Sequence, residues 1–275
     1  MTPSATALER LVRILGRDAE LRSLEALVGA LRPSTTSSVT LGQTAIGLDA
    51  NVVLRLGLHP KSSDIFDYLT SSHAAPLILP GQTVQEFWNN QLQAVDPLAT
   101  QLRKKLEGLQ KDVEKIDGRF GEYRTKFDAA ISNLDQLVGE FVTSHGHLYD
   151  EGTQRRILTL LDILQSKALV PYAQRGPLRD IAVERKRSKT PPGFKDEGDG
   201  DFFVWADFLT GLEEARGQSV PFSRAALISL DAKPDWSRAG VAHPILVAEV
   251  RELFDVPFEI WTIDKLVEEV AVATD

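Results

Sequence analysis

The chain contains no cysteine, which excludes a disulfide framework, a thiolate zinc site and a cysteine nucleophile together. It has no apolar run approaching the roughly 18 residues needed to span a bilayer. Met1 to Arg10 carry Glu9 and lack the apolar core of a signal peptide, so a soluble, cytoplasmic protein with no membrane partner is expected. Two catalytic signatures are also missing. There is no Gly-x-x-x-x-Gly-Lys loop to cradle a nucleoside triphosphate, and no Gly-x-Ser-x-Gly elbow to present a serine.

With 275 residues and 43% hydrophobic content, the chain can build one large α/β domain with embellishments, or two modest domains. The formal charge of −8 argues against a nucleic-acid coat protein. It leaves a nuclease open, because clustered catalytic carboxylates count as negative until metal ions occupy them.

Thr44 to Leu48 is a short apolar run that ends on Asp49 and suits a buried parallel strand. Before it, Leu8, Leu11, Val12, Leu15, Leu21, Leu24, Leu27, Val28 and Leu31 recur at helical spacing, which predicts amphipathic helices packed on the main domain. A polar connector at 33–38 follows, so residues 1–40 form a helical segment and linker ahead of a domain over 41–275. Downstream, a helix over 62–70, a proline-bounded strand over 76–80 and a helix from about Thr83 are expected. A second strand–helix series takes up 201–209, 225–230, 245–254 and 258–263. Strands alternating with helices point to a parallel sheet covered on both faces.

Between these halves the period changes. Leu102, Leu106, Leu109, Val113, Ile116, Phe120, Tyr123, Phe127, Ala130, Leu134, Leu137 and Phe141 alternate steps of four and three, an a/d heptad seam. As one helix it would run roughly 60 Å. Gly118 and Gly121 leave open a break into a hairpin, and Ile157 to Leu164 offers the seam a partner helix. A self-packed antiparallel insertion over about 100–170 is favoured over a dimerising coiled coil.

Four acids fall at one edge of the expected sheet. Asp49 and Asp231 each end a strand, Glu86 lies in the first turn after the second strand, and Asp201 opens the helix before the Asp231 strand. Ligands in open α/β sheets sit at that carboxyl edge. Several carboxylates gathered there repel one another unless cations lie between them, and all-oxygen donors suit Mg²⁺ or Mn²⁺. Each acid also has a plain structural role. Asp49 would close a turn, Thr83 to Glu86 reads as a capping box, Asp199 or Asp201 as an N-cap, and Asp231 as a turn closed with Lys233. The combination of four equivalent positions carries the reading. Arg185, Lys186, Arg187, Lys189 and Lys195 form a basic run, ordinarily a solvated loop, that would suit a phosphate backbone beside a metal cluster.

Two other chemistries are poorly supported. A phosphatase of the haloacid dehalogenase type wants a second aspartate where Asn51 stands. His145-Gly146-His147 lacks the further ligands that a metal site needs.

Asp49-Ala50-Asn51-Val52, then Pro80 with Glu86-Phe87-Trp88-Asn89-Asn90, resemble the opening of a PIN-like domain. Arg185, Pro191-Pro192-Gly193-Phe194-Lys195-Asp196, Gly200-Asp201 with Trp205, and Asp231-Ala232-Lys233-Pro234-Asp235-Trp236 extend the resemblance. The set is similar to a bacterial PIN-like subgroup with a long helical insertion, and covers roughly Thr44 to Ile263. The Pro-Pro-Gly-aromatic-Lys-Asp segment is its most specific part. Gln91 departs from the basic residue expected after Asn90.

The resemblance implies a three-layer α/β/α fold with a central parallel sheet, and a metal-dependent nuclease with Asp49, Glu86, Asp201 and Asp231 as Mg²⁺ or Mn²⁺ ligands. Asp199 and Asp196 rank second as outer acids. Asn51 would orient a water, Asn90, Arg185 and Lys195 would contact the phosphodiester, and Lys233 would neutralise charge near Asp231. The expected substrate is single-stranded nucleic acid, RNA ahead of DNA. Two other readings stand open: a non-cleaving module in a toxin or defence assembly, and an interaction scaffold binding a protein partner or second copy through the N-terminal helices or the heptad insertion.

Overall fold

The computed structural model describes residues 5–32, 39–91, 97–115, 121–145, 151–195, 197–230 and 233–274. The elements run α1 (Ala5–Leu15), α2 (Ser23–Ala30), β1 (Thr44–Leu48), α3 (Ala50–Leu56), α4 (Ser62–Ser71), β2 (Leu77–Ile78) and α5 (Gly81–Gln91). Then come α6 (Pro97–Glu114), α7 (Gly121–His145), α8 (Glu151–Lys167), β3 (Ala168–Leu169), α9 (Arg175–Arg187) and α10 (Gly200–Gly217). The chain closes with β4 (Arg224–Ile228), the small hairpin β5 (Ser237–Arg238) and β6 (Val241–Ala242), α11 (Pro244–Phe254), β7 (Phe258–Trp261) and α12 (Ile263–Thr274).

Five strands form one wholly parallel sheet in the order β3-β2-β1-β4-β7. Side chains alternate across it. Ala45, Ile78, Ala225, Leu227, Phe258 and Ile260 enter a core with α1, α9, α10 and α11. Ile46, Leu48, Leu77, Ala226, Ile228 and Trp261 enter a second core with α3, α4, α8 and α12. Burial on both faces explains why β1 and β4 read as unbroken apolar runs. This is the three-layer α/β/α architecture expected from the sequence.

The centre of the first core is α10. Trp205, Phe208 and Leu209 are fully buried, and such side chains contribute about 1.5–3 kcal/mol each. The helix lies so close to β1 that a Cβ on Gly47 would meet the Phe208 ring at 2.5 Å. Any side chain there would lift α10 from the sheet.

The topology reverses between β1 and β4. From β1 the order steps outward through β2 and β3, while β4 and β7 lie on the other side. That reversal opens a crevice at the carboxyl ends of the two central strands.

The chain divides into two compact units, one of residues 1–87 with 156–275 and the other of 88–155. In the second unit α6 and α7 pack on each other as a hairpin. The run from Leu102 to Phe141 is therefore no continuous helix. Its expected partner is corrected as well: Ile157, Leu160, Ile163 and Leu164 of α8 are buried, and the last three belong to the core beneath β1 and β4. In the N-terminal segment α1 buries Leu11, Ile14 and Leu15 in the first core, whereas α2 buries Ala26 and leaves Leu24 and Leu31 exposed.

Candidate active site

Asp49 follows β1 at the crevice and is the N-cap of α3. Its Oδ1 accepts from the Ala50 N–H at 2.7 Å, and its Oδ2 accepts from the Ser229 hydroxyl at 3.0 Å. Ser229 stands immediately after β4, so this bond joins the two strands that flank the topological reversal. The Asp49 backbone N–H also donates to Ile228 O at 3.1 Å. The turn role and the site position coincide in one residue.

Glu86 sits in the second turn of α5, since the helix begins at Gly81 rather than near Thr83. The expected capping box is absent. Thr83 lies inside the helix, buried, with its hydroxyl donating to Leu48 O at 3.4 Å, and Glu86 Oε1 accepts from Gln82 Nε2 at 3.0 Å. Thr83 thus ties α5 to the residue before Asp49. Across from Glu86 is the start of α10, where a Cβ on Gly200 would stand 2.6 Å from Glu86 Oε1. The missing side chain leaves room for the carboxylate.

Asp201 follows Gly200 in the first turn of α10. Its Oδ2 accepts from Trp236 Nε1 at 3.0 Å and from Lys233 Nζ at 3.3 Å. Glu86 thus lies against the Gly200 start of the helix that carries Asp201, and Asp49 is bonded to Ser229. Asp231 and Asp196 lie outside the described residues. Asp199 is the N-cap residue of α10, but its side chain makes no capping bond.

The substrate-contact residues scatter. Asn51 is exposed in the first turn of α3. Lys195 is exposed, with Nζ 5.8 Å from the centroid of the Phe194 ring. The Asn90 side chain lies outside the described ones, and the residue falls in the second unit. Lys233 reaches Asp201, and its expected neighbour Asp231 lies outside the described residues.

Arg185 requires a correction. It is 3% exposed, and its guanidinium donates to Glu249 at 2.7 and 3.3 Å, to Leu15 O at 3.1 Å and to Pro191 O. Trp205 Nε1 donates to the same Glu249 at 2.8 Å. A guanidinium spent this way binds no phosphate. It fastens α9, α10, α11 and the Pro191 turn together. Arg185, Lys186 and Arg187 of the basic run form the last turn of α9, with Lys189 and Lys195 beyond it, and Lys186 bonds the carbonyls of Glu197 and Gly198.

One buried group escaped the sequence reading. Asp207 is fully buried on α10 and accepts from the Gln82 N–H at 2.7 Å, the Ala173 N–H at 2.8 Å, and Arg175 Nη1 and Nη2 at 2.7 and 3.0 Å. Burial pushes its carboxyl up, while Arg175 and the two backbone donors pull it back. Through Gln82 it fixes the first turn of α5, and so the place from which Glu86 projects. An acid set within the apolar stretch 202–209 of α10 was the available signal.

The acids at this edge offer carboxylate oxygens, and a lysine ammonium already stands against Asp201, so the chemistry of these side chains suits a hard divalent cation. Asp49, Glu86 and Asp201 are the described residues that would hold one. Among the described residues, no group of three or more acidic or histidine side chains is set closely enough to bind a metal.

The PIN-like domain family model matches residues 45–245, and the chain belongs to that family. No curated protein and no solved structure is significantly similar to it. Among the described residues, no helix is long and apolar enough to cross a membrane.

Proposed function

We propose that the protein is a metal-dependent nuclease that hydrolyses phosphodiesters in single-stranded nucleic acid, RNA in preference to DNA. One observation carries the reading: acids from three distant stretches stand at the carboxyl edge beside the β1–β4 reversal, in a family that is generally nuclease-type. Asp49, Glu86 and Asp201, with Asp231, are the proposed Mg²⁺ or Mn²⁺ ligands. The bound ion supplies Lewis acidity toward the phosphoryl oxygen and acidifies the attacking water. Ser229 keeps Asp49 in one rotamer, Gln82 does the same for Glu86, and Trp236 for Asp201. Lys233 offsets charge at Asp201 and would be free to contact the phosphodiester if a cation took over that carboxylate. Lys195 and Asn51 contribute exposed contacts to the backbone of the substrate.

The test is Asp49→Asn assayed on labelled RNA and DNA with added manganese. The proposal expects cleavage by the wild type and its loss in the variant. Equal cleavage by both would remove Asp49 from the chemistry.

A second reading, a PIN-like module that binds nucleic acid without cutting, is favoured by the absence of a metal-holding group among the described residues. Titration calorimetry separates the two. Tight Mn²⁺ binding without turnover on any nucleic acid supports the module, and turnover supports the enzyme.

A further inference from the structure

The heptad seam of the second unit is only partly used by the hairpin that contains it. On α6, Val113 is buried and Leu106 half-buried, while Leu109 is 43% exposed, so only part of that helix's seam faces α7. On α7 the buried residues are Ile131 and Val138, seven apart and each one position beyond the seam. The seam itself points outward: Tyr123 is 60% exposed, Phe127 45%, Leu134 46% and Leu137 59%, with Ala130 exposed between them. Two heptads of apolar side chains, roughly 21 Å long, thus lie uncovered on one helix face. Scattered exposed leucines need no explanation, but a contiguous stripe at a/d spacing does.

The charges beside the stripe select its occupant. With Phe127 and Leu134 at a and Ala130 and Leu137 at d, α6 covers the e side of α7 through Ile131 and Val138. The g side is open and carries Lys126, Asn133 and Glu140, all exposed. In an antiparallel pair, g positions of one helix face g positions of the other. Centred on Asn133, that arrangement sets Lys126 against Glu140 of a second copy, twice by symmetry, with the two Asn133 residues at the axis. In the same register Leu134 meets Ala130, and Phe127 meets Leu137. A parallel pairing would set Lys126 against Ile131, which α6 already covers. Within one chain Lys126 bonds Glu122 at 2.7 Å and Glu140 bonds Gln136 at 2.9 Å. Both are exposed i,i+4 contacts of little worth, so they yield to the new pairs.

We infer that the exposed a/d stripe of α7 is a homodimer surface, on which a second copy docks its own α7 antiparallel about Asn133. Two heptads make a short interface, so the dimer is weak and reversible.

The test is sedimentation equilibrium of the full chain over a series of micromolar loading concentrations, with circular dichroism to verify folding. The wild type should follow a monomer–dimer equilibrium, and Leu134→Glu, an exposed position, should leave it monomeric with unchanged helicity. Lys126→Glu should raise the dissociation constant on the order of tenfold, and adding Glu140→Lys in the same chain should restore it. A wild type that stays monomeric throughout overturns the inference, since the stripe then has another occupant. A dimer indifferent to Leu134→Glu overturns it as well. Failure of the double charge exchange to restore the Lys126→Glu defect overturns the antiparallel pairing.

Discussion

Gly200 and Glu86 are so close that a single added methyl group would come within 2.6 Å of the carboxylate oxygen. The helix start that presents Asp201 and the side chain of Glu86 thus share one small space, and the glycine is what permits both. The atom in the way is the end of a flexible side chain, so Glu86 can swing aside at little cost in stability. Gly200→Ala is therefore expected to change thermal stability by less than about 1 kcal/mol. Mn²⁺ affinity, measured by calorimetry, should fall with Glu86 displaced. A large loss of stability with unchanged metal affinity would contradict this arrangement.

Arg185 makes the opposite prediction. Its partner Glu249 is fully buried, and truncating one member of a buried pair strands the other charge. Arg185→Ala should cost roughly 3–5 kcal/mol in chemical denaturation. Lys195→Ala should leave stability unchanged and weaken nucleic-acid binding, most clearly at low salt. Equal stability losses in the two variants would restore Arg185 to the surface.

The Arg175–Asp207 pair adds a pH dependence. Burial already holds the Asp207 carboxyl above its ordinary value, and removing Arg175 takes away its main counterweight. With the folded pKa raised, destabilisation is absent below the unfolded pKa and complete above the folded one. Arg175→Ala should therefore cost about 3 kcal/mol near neutral pH and less in acid, read from denaturation midpoints across pH. A loss independent of pH would contradict it.

His73 works the other way. Burial lowers it to about 4 from the ordinary 6.5, against partial compensation by the Pro76 carbonyl, and Lys167 lowers it further. Because the folded pKa is depressed, the fold keeps full stability above pH 6.5 and loses it as pH falls from 6.5 toward 4. The loss is on the order of 2–3 kcal/mol. His73→Leu should flatten the melting temperature across that window; an unchanged slope would assign it to another group.

Much of the fold was legible because burial on both faces writes β1 and β4 as apolar runs, each closed by polar residues. Strand β3 was not, since Ala168–Leu169 is two residues long and no period can be read from two. Asp49 after a strand and Asp201 in the first turn of a helix were readable from the apolar pattern, whereas Glu86 falls one turn later than expected because α5 begins at Gly81. Arg185 misled because charge runs are counted locally, while its partner lies 64 residues away. Ser229 was passed over for the same reason, and Trp236 was noted without a role: their value lies in reaching Asp49 and Asp201 across the fold. The heptad was visible, but which face the hairpin would use depends on how α6 docks, and that is a tertiary choice.

Anomalous diffraction from crystals grown with Mn²⁺ tests the central proposal most directly. The account predicts a manganese peak at the carboxyl edge, with oxygens of Asp49, Glu86 and Asp201 at roughly 2.0–2.5 Å and Lys233 turned away from Asp201. A map with no peak among these carboxylates, and Lys233 still bonded to Asp201 at saturating manganese, would contradict it.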